Sequence, residues 1–114
     1  MGRLQPIYLG EFEYLVLLGV LRLGSGANAL AIVKALEDDA GRTTQRSALY
    51  TTLDRLEAKG LLRWRIATGE AARDHLPRRV YTVTAAGLAS LRASHKAMSR
   101  MARGLESLLG ETPS

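Results

Sequence analysis

The sequence predicts a mainly α-helical chain with one small β-hairpin and a long helix at its C-terminal end. Three observations carry this. Apolar residues recur at helical spacing in three segments that stop at glycines. Two short segments between residues 62 and 84 alternate apolar with basic or polar side chains instead. After Thr84 an apolar series resumes at spacings of 3 and 4. The order is helix, helix, helix, strand, loop, strand, helix, in 114 residues that suit one domain.

The first helix is expected over residues 9–23, where Leu9, Phe12, Leu15, Val16, Leu18, Leu21 and Leu23 leave little room for a polar face. Such a helix must be covered on most sides. "GSGAN" breaks the chain, and Asn28 can cap a second helix from about Ala29 to Ala40. Its apolar stripe is narrow (Ala29, Ile32, Val33, Leu36), and Gly41 ends it. The third helix starts near Thr43 or Thr44, either a suitable cap, and stops at Gly60. Leu62, Trp64 and Ile66 then alternate with Arg63 and Arg65, a strand with one buried side. "TGEAARDHLP" reads as a loop and "RRVYTVT", residues 78–84, as the returning strand of a hairpin. Thr84 caps a last helix over about 85–109, and "GETPS" is a frayed tail.

The net charge of +5 is unevenly spread. Residues 42–79 hold nine basic residues against four acidic ones, and eight of the nine are arginine. Arginine suits phosphate because its planar fork bonds two oxygens at once. A basic middle segment is the footprint of a nucleic-acid binder.

Two short helices, a tight turn and a basic hairpin describe a winged helix-turn-helix. In that arrangement the second helix of the pair enters a DNA major groove, N-terminal residues toward the bases. At 100° per residue, Leu49, Leu53 and Leu56 form one stripe that anchors the third helix. Thr44, Ser47, Thr51 and Asp54 lie opposite, and Gln45, Arg46 and Tyr50 border them. Short side chains there can approach base edges, glutamine can pair adenine, and arginine can grip guanine or phosphate. Asp54 would repel phosphate, so contact should stop before it. Arg73, Arg78 and Arg79, near the hairpin loop and on its returning strand, are expected on phosphates. His75 among them reads as a solvated loop histidine.

In the last helix Leu88, Leu91, His95, Met98, Ala102, Leu105 and Leu109 follow a heptad rhythm. One small domain does not need so long a stripe, so a homodimer is expected along these residues, with Phe12 of the first helix. A two-fold dimer places two recognition helices about 34 Å apart, which fits a roughly palindromic operator in double-stranded DNA. His95 is the titratable group in the seam and needs a polar partner. Residues 1–84 would then be the reading part and 85–114 the dimerising part of one compact unit. A ligand site, if the dimer has one, is expected near Phe12, Val16, Met98 and Met101, for a small hydrophobic or aromatic effector.

Other functions find less support. The chain has no cysteine, no glycine-rich phosphate loop and no histidine pair at metal spacing, so neither enzyme, cofactor nor metal is expected. The longest apolar run, Tyr14–Leu21, is far short of the roughly 20 residues of a membrane span. Nor does the start read as a signal peptide. The expectation is a soluble cytoplasmic protein. The competing reading is a winged helix whose basic face meets an acidic protein partner.

Three stretches, "LGEFEYLVLLGVL" (9–21), "ALYTTLDRLEAKGLL" (48–62) and "RRVYTVTAAG" (78–87), give the chain its resemblance to the PadR family of bacterial transcriptional regulators. The match is to the short subfamily with a single C-terminal helix. The resemblance implies a homodimeric winged-helix regulator, usually a repressor, sometimes released by a small molecule. It places Tyr50 on the family's recognition-helix tyrosine, and Arg78, Arg79 and Tyr81 on the wing's return motif. Where many members open the second helix with Gly-Tyr, this chain has Asn28, Ala29 and Leu30. Some relatives hold flat aromatic effectors with a tryptophan on the C-terminal helix, whereas the one tryptophan here, Trp64, is on the wing.

Overall fold

The structure, a computed structural model, describes residues 7–67 and 77–110. Helix α1 (Glu11–Leu23) begins two residues later than the apolar pattern suggests. Gly10 is its N-cap, and the Glu13 carboxylate accepts the Gly10 N–H at 3.2 Å. A helix leaves its first N–H groups unpaired, and this reach-back satisfies one of them. After a 3-10 turn at Gly24–Gly26, α2 (Ala29–Ala40) starts where expected, with the Asn28 side chain accepting from the Ala31 N–H at 2.9 Å. Gly41 closes α2 in the left-handed region, φ 63°.

Helix α3 (Arg46–Ala58) starts later than the threonines predict. Gln45 is its N-cap and makes no side-chain cap bond, while the Thr44 hydroxyl turns back toward the Arg42 carbonyl. The Arg42 N–H still donates to Leu36 O, so closing α2 takes up Arg42. The chain then needs residues 43–45 as an open turn. Leu49, Leu53 and Leu56 are fully buried, as the stripe requires.

Strands β1 (Leu62–Ala67) and β2 (Arg78–Val83) pair antiparallel, from Leu62 opposite Val83 to Ala67 opposite Arg78. The expected buried face of β1 is buried only at its base. Leu62 is 2 % exposed, but Trp64 is 36 % and Ile66 47 % exposed. Arg79 lies over the Trp64 ring, its guanidinium carbon 4.0 Å from the ring centre.

Helix α4 (Ala85–Ala102) is capped by Thr84, whose hydroxyl oxygen accepts from the Gly87 N–H at 3.0 Å. That hydroxyl also donates to Gly60 O at 2.6 Å, tying α4 to the turn after α3. Gly87 allows the close approach: a Cβ there would lie 2.2 Å from Leu61 O. The expected continuous helix to Leu109 is interrupted. α4 ends at Ala102, Gly104 sits at φ 87°, and a short α5 (Glu106–Leu109) follows. The Glu106 carboxylate accepts the Gly104 N–H at 3.0 Å, which holds the break.

One core joins these elements. Val16, Leu17 and Val20 of α1 meet Ile32 and Leu36 of α2, the three α3 leucines, Leu61, Tyr81 of the wing and Leu91 of α4. All are nearly free of water, and each fully buried aliphatic side chain contributes roughly 1.5–3 kcal/mol.

Candidate nucleic-acid interface

The first two turns of α3 present Gln45, Arg46, Ser47, Tyr50 and Thr51 to solvent, while Thr44 is half-buried. The Thr51 hydroxyl donates to Ser47 O at 3.0 Å, so it faces outward only as an acceptor. The Tyr81 N–H donates to Ala27 O at 2.9 Å, which straps β2 to the entry of α2. This strap brings three elements around one cleft of about 410 Å³. Arg46 and Tyr50 come from α3, Arg78, Arg79 and Tyr81 from the wing. The first turn of α2, Ala29 and Leu30, forms the remaining wall. Arg73 and His75 lie outside the described residues.

The charge is sorted more finely than the sequence suggests. Arg55 and Lys59 belong to the basic segment, yet both face the buried Glu13 carboxylate, at 3.8 and 2.9 Å. Arg42 pairs with Glu11 and lies over the Phe12 ring. Arg46, Arg63 and Arg65 carry no ion pair among the described residues. Asp54 is 3.8 Å from the Arg79 guanidinium, so the acid expected to end the reading edge faces a wing arginine.

Glu13 is buried, which alone would raise its pKa. The Lys59 hydrogen bond, the Gly10 N–H and the charges of Lys59 and Arg55 outweigh burial, and its pKa is lowered. Tyr81 shows the opposite. Burial is the largest influence and pushes its hydroxyl up; Asp54 and Tyr50 add to this and Arg79 opposes it. Although Arg79 is near, no hydrogen bond of acceptable geometry reaches the Tyr81 oxygen. Tyr81, which lines the cleft and is 1 % exposed, therefore carries an unsatisfied hydroxyl. Neither Glu13 nor this property of Tyr81 stood out in the sequence. The sequence hinted at Tyr81 through its place in the wing's return motif and its position two residues after Arg79, hence on the same face of β2.

The residues expected at a dimer seam are split. Leu91 lies in the chain's own core at 4 % exposed, and Leu88 is half-buried, so neither has much surface to give a partner. His95 Nδ1 meets the Tyr14 hydroxyl at 3.0 Å, the polar partner the sequence calls for. Met98, Met101, Leu105 and Leu109 are exposed and, with Ala97 and Ala102, line an open apolar groove of about 400 Å³. The expected pocket of Phe12, Val16, Met98 and Met101 is not assembled. Val16 points into the core, and Phe12 faces Arg42, Thr43 and Gln45 at the α2–α3 turn. Neighbouring turns of one helix face different elements, which a helical stripe does not reveal.

Among the described residues no cluster of His, Asp or Glu is placed to hold a metal, and no helix is long and apolar enough to cross a membrane. The model of the transcriptional regulator PadR-like family matches residues 17–93. A PadR family transcriptional regulator from Eggerthella lenta is 31% identical, with 90% of this chain and 88% of that one covered and a TM-score of 0.64. A PadR-like transcription factor from Bacteroides fragilis is 22% identical over 85% of this chain and 88% of its own, TM-score 0.66. Bacillus subtilis PadR, solved in complex with operator DNA, is 21% identical over 90% of this chain, TM-score 0.59; the match spans 50% of that protein. A search of curated proteins found no match.

Proposed function

Because the chain belongs to the PadR-like family of transcriptional regulators, we propose that it is a homodimeric repressor that binds a roughly palindromic operator in double-stranded DNA. The observation that carries this is the meeting of Arg46 and Tyr50 with Arg78 and Arg79 around one cleft beside the exposed start of α3. Gln45, Ser47 and Thr51 read base edges, and the arginines, including Arg73, hold phosphates. The Bacillus subtilis relative bound to operator DNA supports the same use of this fold.

Residues 1–84 form the reading part and 85–114 the dimerising part. The exposed groove from Ala97 to Leu109 is the surface a second copy covers, with His95 at its near end. Phe12 and Leu91 contribute from within each chain. A small hydrophobic or aromatic effector, where one acts, enters beside Met98 and Met101, because methionines make adaptable walls. The protein works in the cytoplasm, where its operator is.

Selection of bound duplexes from a random pool tests the proposal. It returns a two-fold motif with half-sites about one helical turn apart. No enriched motif, and no gel shift with any duplex at low salt, would leave the basic face to an acidic protein partner.

A further inference from the structure

The cleft between α2, α3 and the wing contains more than a cluster of arginines. It combines three kinds of donor. Arg46, Arg78 and Arg79 supply forked cations. Ala29 and Leu30 supply the first turn of a 12-residue helix, whose opening N–H groups have no helical acceptor and carry the positive end of the helix dipole. Tyr81 supplies a buried hydroxyl with no hydrogen-bond partner, held in place by its own backbone bond to Ala27 O. An unsatisfied buried hydroxyl is costly, so such a group points to a ligand that completes it. Burial keeps the hydroxyl protonated at neutral pH, and so able to donate. Among the described residues no acidic side chain lines the cleft; Asp54 stands off it against Arg79.

We propose that this cleft is a phosphate seat, in which Tyr81, the first turn of α2 and the three arginines bind one tetrahedral oxyanion. The inference rests on the DNA-binding reading and deepens it by naming the atom group received. Tyr81 donates to one phosphate oxygen, the Ala29 and Leu30 end of α2 faces a second, and the guanidiniums close the rest. The cleft is larger than one phosphate, which leaves room for the group esterified to it. That ester is either the sugar of the operator backbone or the organic part of a free phosphate ester. In the second case the ester displaces DNA directly.

The test pairs Tyr81→Phe with Leu30→Glu in the full chain. Tyr81→Phe removes one oxygen that nothing in the free protein satisfies, so its melting temperature stays level or rises. Its affinity for operator and for unrelated duplex falls alike, by about tenfold or more, the loss expected for one hydrogen bond to a charged group. The salt dependence keeps its slope, because no cation is lost, whereas removing an arginine lowers the slope by about 1. Leu30 is half exposed, so Leu30→Glu keeps the fold and places a carboxylate at the mouth; it weakens both duplexes further. Phenyl phosphate shifts the amide resonances of Ala29 and Leu30 in the wild type, does not in Tyr81→Phe, and competes with DNA.

A loss of DNA affinity in both variants without any response to phenyl phosphate supports the seat and assigns its phosphate to the DNA backbone. A phenyl phosphate response in a protein that binds no duplex keeps the seat and overturns the DNA reading. A folded Tyr81→Phe protein that binds DNA and phenyl phosphate as the wild type does overturns the seat and leaves the DNA reading standing. Should Tyr81→Phe not fold, unchanged binding by Leu30→Glu is the overturning result.

Discussion

The wing end and the tail end of this molecule are unsatisfied in opposite ways. At the wing, Arg63 and Arg65 have no counter-ion among the described residues, and a buried hydroxyl lacks a partner. At the tail, Met101 is 80 % and Leu108 81 % exposed, so apolar surface stands in water. The first deficit suits a polyanion and the second another apolar face. Between them the chain is well satisfied: Arg55 and Lys59 both face Glu13, and the core is buried. The contrast teaches that the net charge matters less than where the structure leaves it unpaired. Under the proposed reading, the wing holds DNA and the tail sets the distance between two such wings.

The largest expected effect comes from breaking the tail. Met101→Glu with Leu105→Glu puts charge on the exposed groove without touching the core. Sedimentation should show a monomer, and operator affinity should fall about a hundredfold or more, because bivalent binding is lost. Binding to unrelated duplex should persist. If it vanished too, the two regions would not be separable.

Gly87 is the joint between them. Gly87→Ala would force a methyl against Leu61 O and against Val83 Cγ1, 2.8 Å away. The neighbour at fault is backbone, which cannot turn aside. Overpacking of this kind costs about 1–3 kcal/mol. Thermal unfolding should show it as a fall of roughly 4–8 °C per kcal/mol.

Several elements were legible in the sequence for local reasons. Asn28 and Thr84 cap α2 and α4 through their own side chains, and Gly41 takes the left-handed conformation that ends α2. The hairpin follows from alternation. What failed to show depends on distance in space. The exposure of Trp64 and Ile66 depends on what packs over the hairpin, which alternation does not say. The apolar series at 3 and 4 spacing hides the break at Gly104, because the leucines resume in step beyond it. At the site, the exposed start of α3 and the wing arginines were readable from type and spacing. The pairing of Asp54 with Arg79, and the bare Tyr81 hydroxyl, required the folded chain. That Phe12 and Val16 do not meet Met98 and Met101 within one chain likewise required the folded chain.

Smaller changes sharpen the wing. Arg79→Ala should weaken all duplexes alike and reduce the salt slope by about 1. Asp54→Asn should do the reverse, because it releases Arg79. An exposed ion pair is worth at most about 1 kcal/mol, so the gain in affinity should not exceed about fivefold. Equal losses in both variants would mean that Asp54 is needed to aim Arg79.

The smallest effect is expected in the satisfied middle. The Glu13 pKa is lowered in the folded chain, so its contribution to stability is complete above the ordinary carboxylate range. It is lost as pH falls through the lowered value. Glu13→Gln should therefore flatten the acid limb of the stability profile and leave DNA affinity near neutral pH unchanged. Urea midpoints measured across the acid range would show it.

The central claim is that the apolar tail spaces two charged reading edges on one duplex. It is tested most directly by inserting about 5 base pairs, half a helical turn, between the half-sites of the selected operator. Fluorescence anisotropy at fixed salt should show affinity falling to the level of unrelated DNA, as the two wings face opposite sides of the duplex. Equal affinity for the original and the lengthened operator would contradict the account.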